Sequence, residues 1–380
     1  MAMYDVVIIG GGAVGLSLAY LGAKQGYEVA VIESRHLCSG ATGRSAGIVT
    51  VQLSIPEDVA MAKKTIEVFR EVSDLTGVPF YRRTGFLTVL PERLLDESLE
   101  PLRANGTTYT VLKAYDVEGH VPFLRVHDHE VGILTLDDMT VDASKMGRAF
   151  GAVLSDFGVD VYEWNGSTSI SLDGTRIRSV SVNGGTELRG RSYVLAAGPW
   201  NKVVLKEIGV RASFLTIYKC QVVMVKGDGV GAYVPFYTMG EHLYMRPDME
   251  GTSVVGNGYA KVVEVPEDAM DGLEKEYVQH IAELLAERVF NPEDFRVNGG
   301  WSGPCSITPD GYPVIGRVPG FENAYIVDGL DGYGLMRAAG VAELALKAIE
   351  GEEIERYSPS RFTGSERNSE VVEVVELHSV

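Results

Sequence analysis

Residues 4–15 read YDVVIIGGGAVG, in which the β-branched apolar residues 6–9 are followed by three consecutive glycines. An apolar helical pattern follows, and residues 28–33 form a second strand-like run, EVAVIE. Strand, glycine turn, helix and strand in this order predict a βαβ unit with a G-x-G-x-x-G turn. Such a turn binds the pyrophosphate of a dinucleotide at the helix N-terminus, where unpaired N–H groups favour negative charge.

The glycines of this turn have separate tasks. Gly10 permits the tight turn, Gly12 lets the backbone approach the pyrophosphate, and Gly15 lets the helix pack closely on the strand. Glu33 ends the second strand about twenty residues further on, where an acidic side chain accepts hydrogen bonds from a ribose hydroxyl. These features together favour a dinucleotide site over a purely structural turn. Taken alone, they indicate NAD as the simplest ligand.

Composition narrows the class of protein. A chain of 380 residues exceeds the size at which a single core stops growing, so we expect two domains. The formal net charge of -18 argues against nucleic acid or an anionic membrane as a partner, because both require a basic surface. An acidic soluble protein is the simplest interpretation. Ion-pair networks of a thermophile and adaptation to salt stay open as alternatives.

Cysteine and histidine usage predicts neither a disulfide framework nor a metal site. Cys38, Cys220 and Cys305 are an odd number of widely spaced residues, which fits a reducing compartment. Residues 6–23 carry no charge, but the glycines and the lack of a preceding basic segment argue against a signal peptide or membrane helix. We therefore expect a cytoplasmic protein. Three histidines lack metal-ligand spacing in an acidic, polar stretch and are assigned to the surface: His120, His127 and His129.

Further elements follow along the chain. Helices are predicted over about 57–75, 92–104, 141–156, 273–288 and 334–350. Strands are predicted at 80–83, 85–90, 109–115, 133–136 and 324–328, in a hairpin region over 167–188, and over much of 214–258. The loop over 34–47 is rich in small and hydroxyl residues, which suits a backbone lying against a large cofactor; a flexible surface loop is the alternative. For the tail after residue 362, disorder is favoured over a docking strand at 371–377.

Five separated motifs together resemble the D-amino-acid oxidase superfamily of FAD-dependent oxidoreductases. They are the Gly10 to Gly15 turn, the loop SGATGR at 39–44, the turn VLAAGPW at 194–200, the segment from Trp301 to Gly316 with TPDGYPVIG, and the turn GLDGYG at 329–334. The nearer likeness is to the sarcosine oxidase, dimethylglycine dehydrogenase, glycine oxidase and dye-linked L-proline dehydrogenase branch. The match spans residues 3 to about 355 and replaces NAD by FAD as the expected ligand.

The resemblance implies an α/β fold. A Rossmann-type, GR2-like FAD-binding domain would comprise 1–80, 138–212 and 300–362. An inserted antiparallel-sheet substrate domain would comprise 81–137 and 213–299, and 363–380 would be a tail. The residues implied to contact FAD are Gly10, Gly12, Ala13, Val14, Gly15, Glu33, Ser34, Arg35, Ser39, Thr42, Gly43, Arg44, Ser45, Ala46, Ala197, Gly198, Trp200, Gly303, Cys305, Gly332, Tyr333, Gly334, Leu335 and Met336.

The chain departs from these relatives where the chemistry would be decided. Cys305 stands where glycine oxidases and D-amino-acid dehydrogenases have a carboxylate-binding arginine. Tyr333 and Met336 replace the histidine and lysine of sarcosine oxidases. Gly303 occupies the place of the cysteine that attaches flavin covalently in monomeric sarcosine oxidases, so non-covalent FAD is expected. Cys305 either reaches the flavin or, as we favour, is a plain buried thiol.

The implied reaction is oxidation of a carbon that carries an amine or hydroxyl group, which requires a cation for a substrate carboxylate and apolar walls. Arg246 is the first candidate for that cation, because guanidinium binds carboxylate bidentately; a surface arginine is the alternative. Arg337 is the second candidate, with a solvent-facing position as the alternative. Tyr244 and Tyr333 are expected to close the pocket or hydrogen-bond the substrate.

The function expected is FAD-dependent oxidation of a small amino acid or secondary amine of the proline, sarcosine or glycine type to an imine. One alternative is a 2-hydroxy-acid or polyol dehydrogenase on the same fold, and another is a flavoprotein subunit of an electron-transfer complex. The sequence leaves the electron acceptor open among oxygen, a quinone and a carrier protein. It also leaves open whether the chain forms a homo- or hetero-oligomer.

Overall fold

The computed structural model describes residues 3–165, 168–183, 185–227, 233–248 and 251–362. The strands in these ranges are β1 Met3–Ile9, β2 Val29–Ile32, β3 Ile48–Val49, β4 Tyr81–Arg83, β5 Phe86–Pro91, β6 Thr110–Lys113, β7 Glu130–Thr135, β8 Met139–Val141, β9 Asp160–Tyr162, β10 Ser169–Asp173, β11 Arg176–Val182, β12 Thr186–Leu195, β13 Thr216–Gly227, β14 Phe236–Thr238, β15 Leu243–Pro247, β16 Thr252–Gly256, β17 Ala260–Val263, β18 Phe295–Ile307, β19 Val314–Arg317 and β20 Ala324–Asp328. The α-helices are α1 Ala13–Lys24, α2 Pro56–Thr76, α3 Leu95–Ala104, α4 Ala114–His120, α5 Ala143–Asp156, α6 Asn201–Glu207, α7 Lys275–Arg288 and α8 Gly334–Ile349.

The first sheet is a parallel sheet with strands in the order β9-β2-β1-β12-β20. β19 adds to β20 antiparallel, and the hairpin β10-β11 pairs with the first part of β12. Val6 and Ile8 face one core with helices α1, α2, α5 and α8, whereas Val7 and Ile9 face a second core that includes residues of α6. A strand covered on both faces explains why residues 4–9 are almost entirely apolar.

The second sheet is mostly antiparallel and runs β17-β13-β16-β15-β14-β5-β7-β6, with β18 paired to β13. Leu87 and Phe236 lie in its core against Tyr277 of α7. This is the antiparallel sheet expected from the sequence, and the mixed α/β fold class is confirmed. β18 runs without interruption across the predicted domain boundary at residue 300. The exact division into domains stays a prediction.

Most predicted helices are present with shifts of a few residues at their ends. Pro56 stands in the first turn of α2, and Gly77 ends that helix in the left-handed conformation (φ 66°). The predicted strand at 109–115 was wrong in its last two residues, because the chain enters α4 at Ala114. The β-branched and aromatic residues there resemble a strand, but Val117 instead packs into the core of the second sheet.

The remaining sequence expectations concern the surface and the tail. His127 and His129 are exposed and stack on each other, and in the described residues no group of His, Cys, Asp and Glu side chains is arranged to hold a metal. Within the same residues, no helix combines the length and apolar character needed to cross a bilayer. The tail over 363–380 lies outside the described residues, so the expectation for it stays a prediction.

Candidate active site

A cavity of about 590 Å³ lies where the two sheets meet. Its walls include Ile9, Ile32 and Ala196, at or just after the C-terminal ends of β1, β2 and β12. On the opposite side it reaches Cys220 of β13 and Tyr244 of β15. The carboxyl edge of a parallel sheet is the usual place for a nucleotide in this kind of fold, and the second sheet closes over it.

The glycine turn forms one end of the cavity. Gly10 has φ 119°, and a Cβ atom there would lie 2.4 Å from the Ala196 carbonyl oxygen. A Cβ at Gly15 would lie 2.0 Å from the Gly10 carbonyl oxygen, so this glycine is required for α1 to pack on β1. Gly12 differs, because a Cβ there would meet only Thr42 Oγ1, at 3.2 Å. Gly12 is therefore the glycine that leaves space on the cavity side.

Hydrogen bonds fix the loop that borders this turn. Thr42 Oγ1 accepts the Ala13 N–H at 3.0 Å, at the start of α1. The Glu33 carboxylate accepts the Gly11 N–H at 2.9 Å and the Arg35 N–H at 3.0 Å. Glu33 also lies on the cavity wall, so its carboxylate is held at the end of β2, facing the cavity.

The same loop is attached to β18 of the second sheet. Arg44 Nη1 donates to the Ser302 carbonyl at 2.8 Å, and Trp301 Nε1 donates to the Arg44 carbonyl at 2.7 Å. A Cβ at Gly303 would lie 2.7 Å from Arg44 Cβ, so a side chain at this position would push the loop away. The loop over 39–47 is thus a structured wall shared by both sheets rather than a free surface segment.

The structure brings most of the predicted site residues to this one cavity. Those on its wall are Gly10, Gly12, Ala13, Val14, Glu33, Ser34, Arg35, Ser39, Thr42, Arg44, Ser45, Ala46, Ala197, Gly198, Trp200, Tyr244, Gly303, Cys305, Gly332, Tyr333, Gly334, Leu335 and Met336. Gly15 and Gly43 lie behind the wall, where each allows close backbone packing; a Cβ at Gly43 would lie 2.4 Å from the Cys38 carbonyl oxygen. The individual contacts of these residues with a cofactor stay predictions.

Arg246 is not among the residues that line the cavity. Its side chain is mostly buried, and Nη1 donates to Asp248 Oδ1 at 2.8 Å and to the Pro247 carbonyl at 3.1 Å. Its Nε also donates to the Ala46 carbonyl in the loop. Arg246 is therefore neither a surface arginine nor a guanidinium facing the cavity, and it links β15 to the loop.

Arg337 is also absent from the cavity wall and does not face solvent. It is buried in the first turn of α8, where Nη2 forms an ion pair of 2.6 Å with Asp58 of α2. Its guanidinium carbon lies 5.0 Å from the centre of the Tyr333 ring, which itself borders the cavity. Arg337 thus supports Tyr333 from behind, and a carboxylate role for it has no support in this geometry.

Sequence reasoning missed a polar pair on the cavity wall, Tyr237 and His242. The tyrosine hydroxyl lies 2.7 Å from His242 Nδ1. His242 adopts φ 53° in the turn between β14 and β15, a conformation uncommon for histidine. The only signal in the sequence was Gly240-Glu241-His242 between two strand-like runs, which marks a turn but does not indicate a site.

Burial also perturbs acidic groups along this wall. Burial raises the pKa of Asp328 to about 7, although its carboxylate accepts hydrogen bonds from the Ser306 hydroxyl and the Gly329 N–H. Burial likewise raises the pKa values of Tyr244 and Tyr333, so both hydroxyl groups stay protonated at neutral pH. This end of the cavity therefore combines two buried carboxyl groups, Asp328 and Asp331, with tyrosine hydroxyls that carry no charge.

The described residues fit a bound FAD. At one end of the cavity, Gly12 leaves room beside the N-terminus of α1. At the other end, the cavity is walled by Gly303, Gly332 and Tyr333. Neither Gly198 (φ 54°) nor Gly332 (φ 73°) has any atom within 4 Å of where a Cβ would stand, so both leave open space for a ligand. The first part suits a pyrophosphate, and the second suits the remainder of a long cofactor.

The family model for FAD dependent oxidoreductases, the DAO family, matches residues 5–348, and the chain belongs to this family. FAD is accordingly its cofactor, and the chain is an FAD-dependent oxidoreductase. The sequence is 26% identical over 364 residues to glycine oxidase of Bacillus licheniformis, covering 92% of this chain and 94% of that enzyme.

Other relatives extend the comparison. Mitochondrial sarcosine dehydrogenase of Homo sapiens is 28% identical over 392 residues, which cover 94% of this chain and 41% of that longer enzyme. L-Proline dehydrogenase from P. horikoshii matches the structure with a TM-score of 0.85 at 24% identity, covering 95% of this chain and 98% of that one. This last likeness shows the shared fold, and the substrate of the present chain is a separate question.

Proposed function

We propose that the chain oxidises a small amino acid or secondary amine, of the glycine, sarcosine or proline type, at its α-carbon to give an imine. The observation that carries this proposal is the continuation of the glycine-walled cavity into a region bounded by Tyr237, Tyr244, Tyr333 and Met336, with His242 among them. Aromatic and apolar walls with few polar groups suit a small substrate of this kind. The names of the relatives above, which concern glycine, sarcosine and proline, support the same substrate class.

FAD, when bound, supplies the redox chemistry by accepting a hydride at N5 of its flavin ring. The protein has to hold the substrate carbon beside that ring and keep water away. Burial keeps the hydroxyls of Tyr244 and Tyr333 uncharged, so they provide hydrogen bonds without fixing a charge in the cavity. The amine has to be neutral when it reacts, because its lone pair assists loss of hydride from the adjacent carbon.

His242 is the group that we assign to the substrate carboxylate. Of the basic side chains on the described cavity wall, Arg35 lies beside Glu33 at the glycine-turn end, and Arg44 donates to the Ser302 carbonyl. His242 stands at the other end with Tyr237. When the Tyr237 hydroxyl donates to Nδ1, the ring keeps its proton on Nε2, and that N–H is available to donate to a carboxylate.

Anaerobic bleaching of the bound flavin tests the substrate class. Purified holoenzyme is mixed without oxygen with glycine, sarcosine, proline, lactate, 2-hydroxyglutarate or glycerol 3-phosphate, and flavin absorbance near 450 nm is followed. We expect one or more of the amino acids to bleach the flavin. Bleaching by a hydroxy acid or by glycerol 3-phosphate alone would refute the proposal and identify the alternative reaction on the same fold.

Substitution of the polar pair tests the carboxylate assignment. We expect His242→Gln to raise KM for the amino acid by about tenfold with a smaller change in kcat, since a charge-assisted hydrogen bond contributes about 1.5–3 kcal/mol. Tyr237→Phe should have a weaker effect in the same direction. His129→Gln is the matched control, because His129 is exposed on the surface. Unchanged KM values in both cavity variants would exclude this role for His242.

A further inference from the structure

Two of the three cysteines of the chain lie on the paired strands β13 and β18. In the antiparallel register Tyr218 is opposite Cys305, and Cys220 is opposite Gly303. Because side chains two residues apart on a strand point the same way, Cys220 and Cys305 lie on one face of the sheet as diagonal neighbours. The glycine opposite Cys220 has no side chain, so nothing at that position separates the two thiols.

Both thiols border the cavity described above. Cys305 is buried, Cys220 is half-buried and packs against Cys305, and apolar neighbours surround them: Tyr218, Ala260 and Ile307. The third cysteine, Cys38, is buried elsewhere, in the first core next to the glycine turn, and is absent from the cavity wall. The chain therefore holds one pair of neighbouring thiols on the cavity wall and one isolated thiol.

The pair is held together in its reduced form. A hydrogen bond with the Cys220 thiol, followed by burial, raises the pKa of Cys305 well above its ordinary value. Cys305 is consequently a thiol rather than a thiolate at neutral pH, which makes its oxidation slow at neutral pH and faster as the pH rises. Their proximity nevertheless means that oxidation of one thiol places the product directly beside the other.

We propose that Cys220 and Cys305 form a dithiol modification site on the cavity wall, which hydrogen peroxide oxidises to an intramolecular disulfide. In this step the two S–H bonds and the O–O bond break and one S–S bond forms. Each sulfur gives up one electron and one proton, and the peroxide takes both electrons and both protons to become two molecules of water. The reaction is reversible by an added thiol, which returns the disulfide to the dithiol.

Disulfide formation changes the wall beside Tyr244. Tyr244 lines the same cavity as both cysteines, and both contribute to the raised pKa of its hydroxyl. Because a disulfide brings the sulfur atoms to about 2 Å from each other, the two side chains turn towards each other and the surface next to Tyr244 alters. We therefore expect the oxidised protein to bind substrate more weakly; this consequence rests on the proposed function, whereas the chemistry of the thiols does not.

Thiol counting on the holoenzyme tests the site without any catalytic assay. Graded hydrogen peroxide is added, excess is removed with catalase, and thiols are titrated after denaturation. We expect the count to fall from three to one, with intact mass lower by two hydrogen atoms and both changes reversed by dithiothreitol. The rate should increase with pH, because the thiolate is the reacting form.

Matched variants assign the reaction to this pair. In the Cys38→Ser variant, the thiol count should fall from two to none as fast as the parent chain loses two thiols. The Cys220→Ser variant should lose thiols at least about tenfold more slowly. Cys220→Ser is the main variant, because the half-buried position tolerates the change better than Cys305 does; Cys305→Ala is the second. Equal rates in Cys220→Ser and the parent, or a mass gain of oxygen with no disulfide, would overturn the proposal.

Discussion

Gly12→Ala separates cofactor binding from folding more sharply than any other single change in the glycine turn. Gly12 has φ -81° and ψ -178°, a backbone conformation that alanine adopts. The new methyl group would meet only Thr42 Oγ1, at 3.2 Å, so the flavin-free protein should lose no more than about 1 kcal/mol of unfolding free energy. The methyl group would instead occupy the space where a pyrophosphate approaches the N-terminus of α1.

The effect on FAD affinity follows from the hydrogen bonds lost there. Moving the pyrophosphate away from one backbone N–H forfeits a charge-assisted hydrogen bond of about 1.5–3 kcal/mol. This free energy corresponds to a roughly ten- to hundredfold higher dissociation constant for FAD. The measurement is a fluorescence titration of the flavin-free variant with FAD, together with its urea unfolding curve.

Gly15→Ala is the control for a purely structural glycine. Its Cβ would lie 2.0 Å from the Gly10 carbonyl oxygen, so α1 has to move away from β1 and the flavin-free protein should lose about 1–3 kcal/mol or more. If Gly12→Ala binds FAD as tightly as the parent, the assignment of Gly12 to the pyrophosphate is wrong. If the flavin-free Gly12→Ala protein loses as much unfolding free energy as Gly15→Ala, then Gly12 is a structural glycine as well.

Three further predictions concern groups outside the glycine turn. Burial raises the pKa of Asp138 to about 6 from its ordinary 3.8, so the folded state binds the proton more tightly. The free energy of unfolding should therefore fall by about 2 kcal/mol as the pH rises from about 4 to 6, and Asp138→Asn should remove this slope in urea unfolding curves; an unchanged slope would contradict the prediction. Arg337→Met should cost about 3–5 kcal/mol of unfolding free energy because it leaves Asp58 unpaired and buried, whereas the double variant with Asp58→Asn should cost much less; equal losses would exclude coupling between the two. Arg246→Lys should weaken FAD binding several-fold in titrations, because an ammonium does not keep the guanidinium contacts that hold the loop at Ala46, and a change confined to the substrate KM would instead support a carboxylate role.

The sequence predicted the local part of the fold because its signals lie within single elements. The apolar run before Gly10, the helix between Pro56 and Gly77 and the strand at 324–328 were all readable from periodicity and turn residues. The error at α4 has the same origin, since Ala114 and Tyr115 directly continue the strand-like run of β6 and no capping residue marks the start of the helix. The cofactor followed from the order of five motifs, which is a property of the chain itself.

What the sequence by itself determined is therefore the nucleotide-binding βαβ unit, the family and the FAD, because these depend on residue types at fixed spacing along the chain. Only the tertiary structure showed where the candidate arginines for the substrate lie. Arg246 and Arg337 each have the guanidinium group that binds a carboxylate. In the folded chain, however, they form ion pairs with Asp248 and Asp58. The contact of Cys220 with Cys305 joins positions 85 residues apart, and it depends on strand register, which no local pattern in either segment specifies.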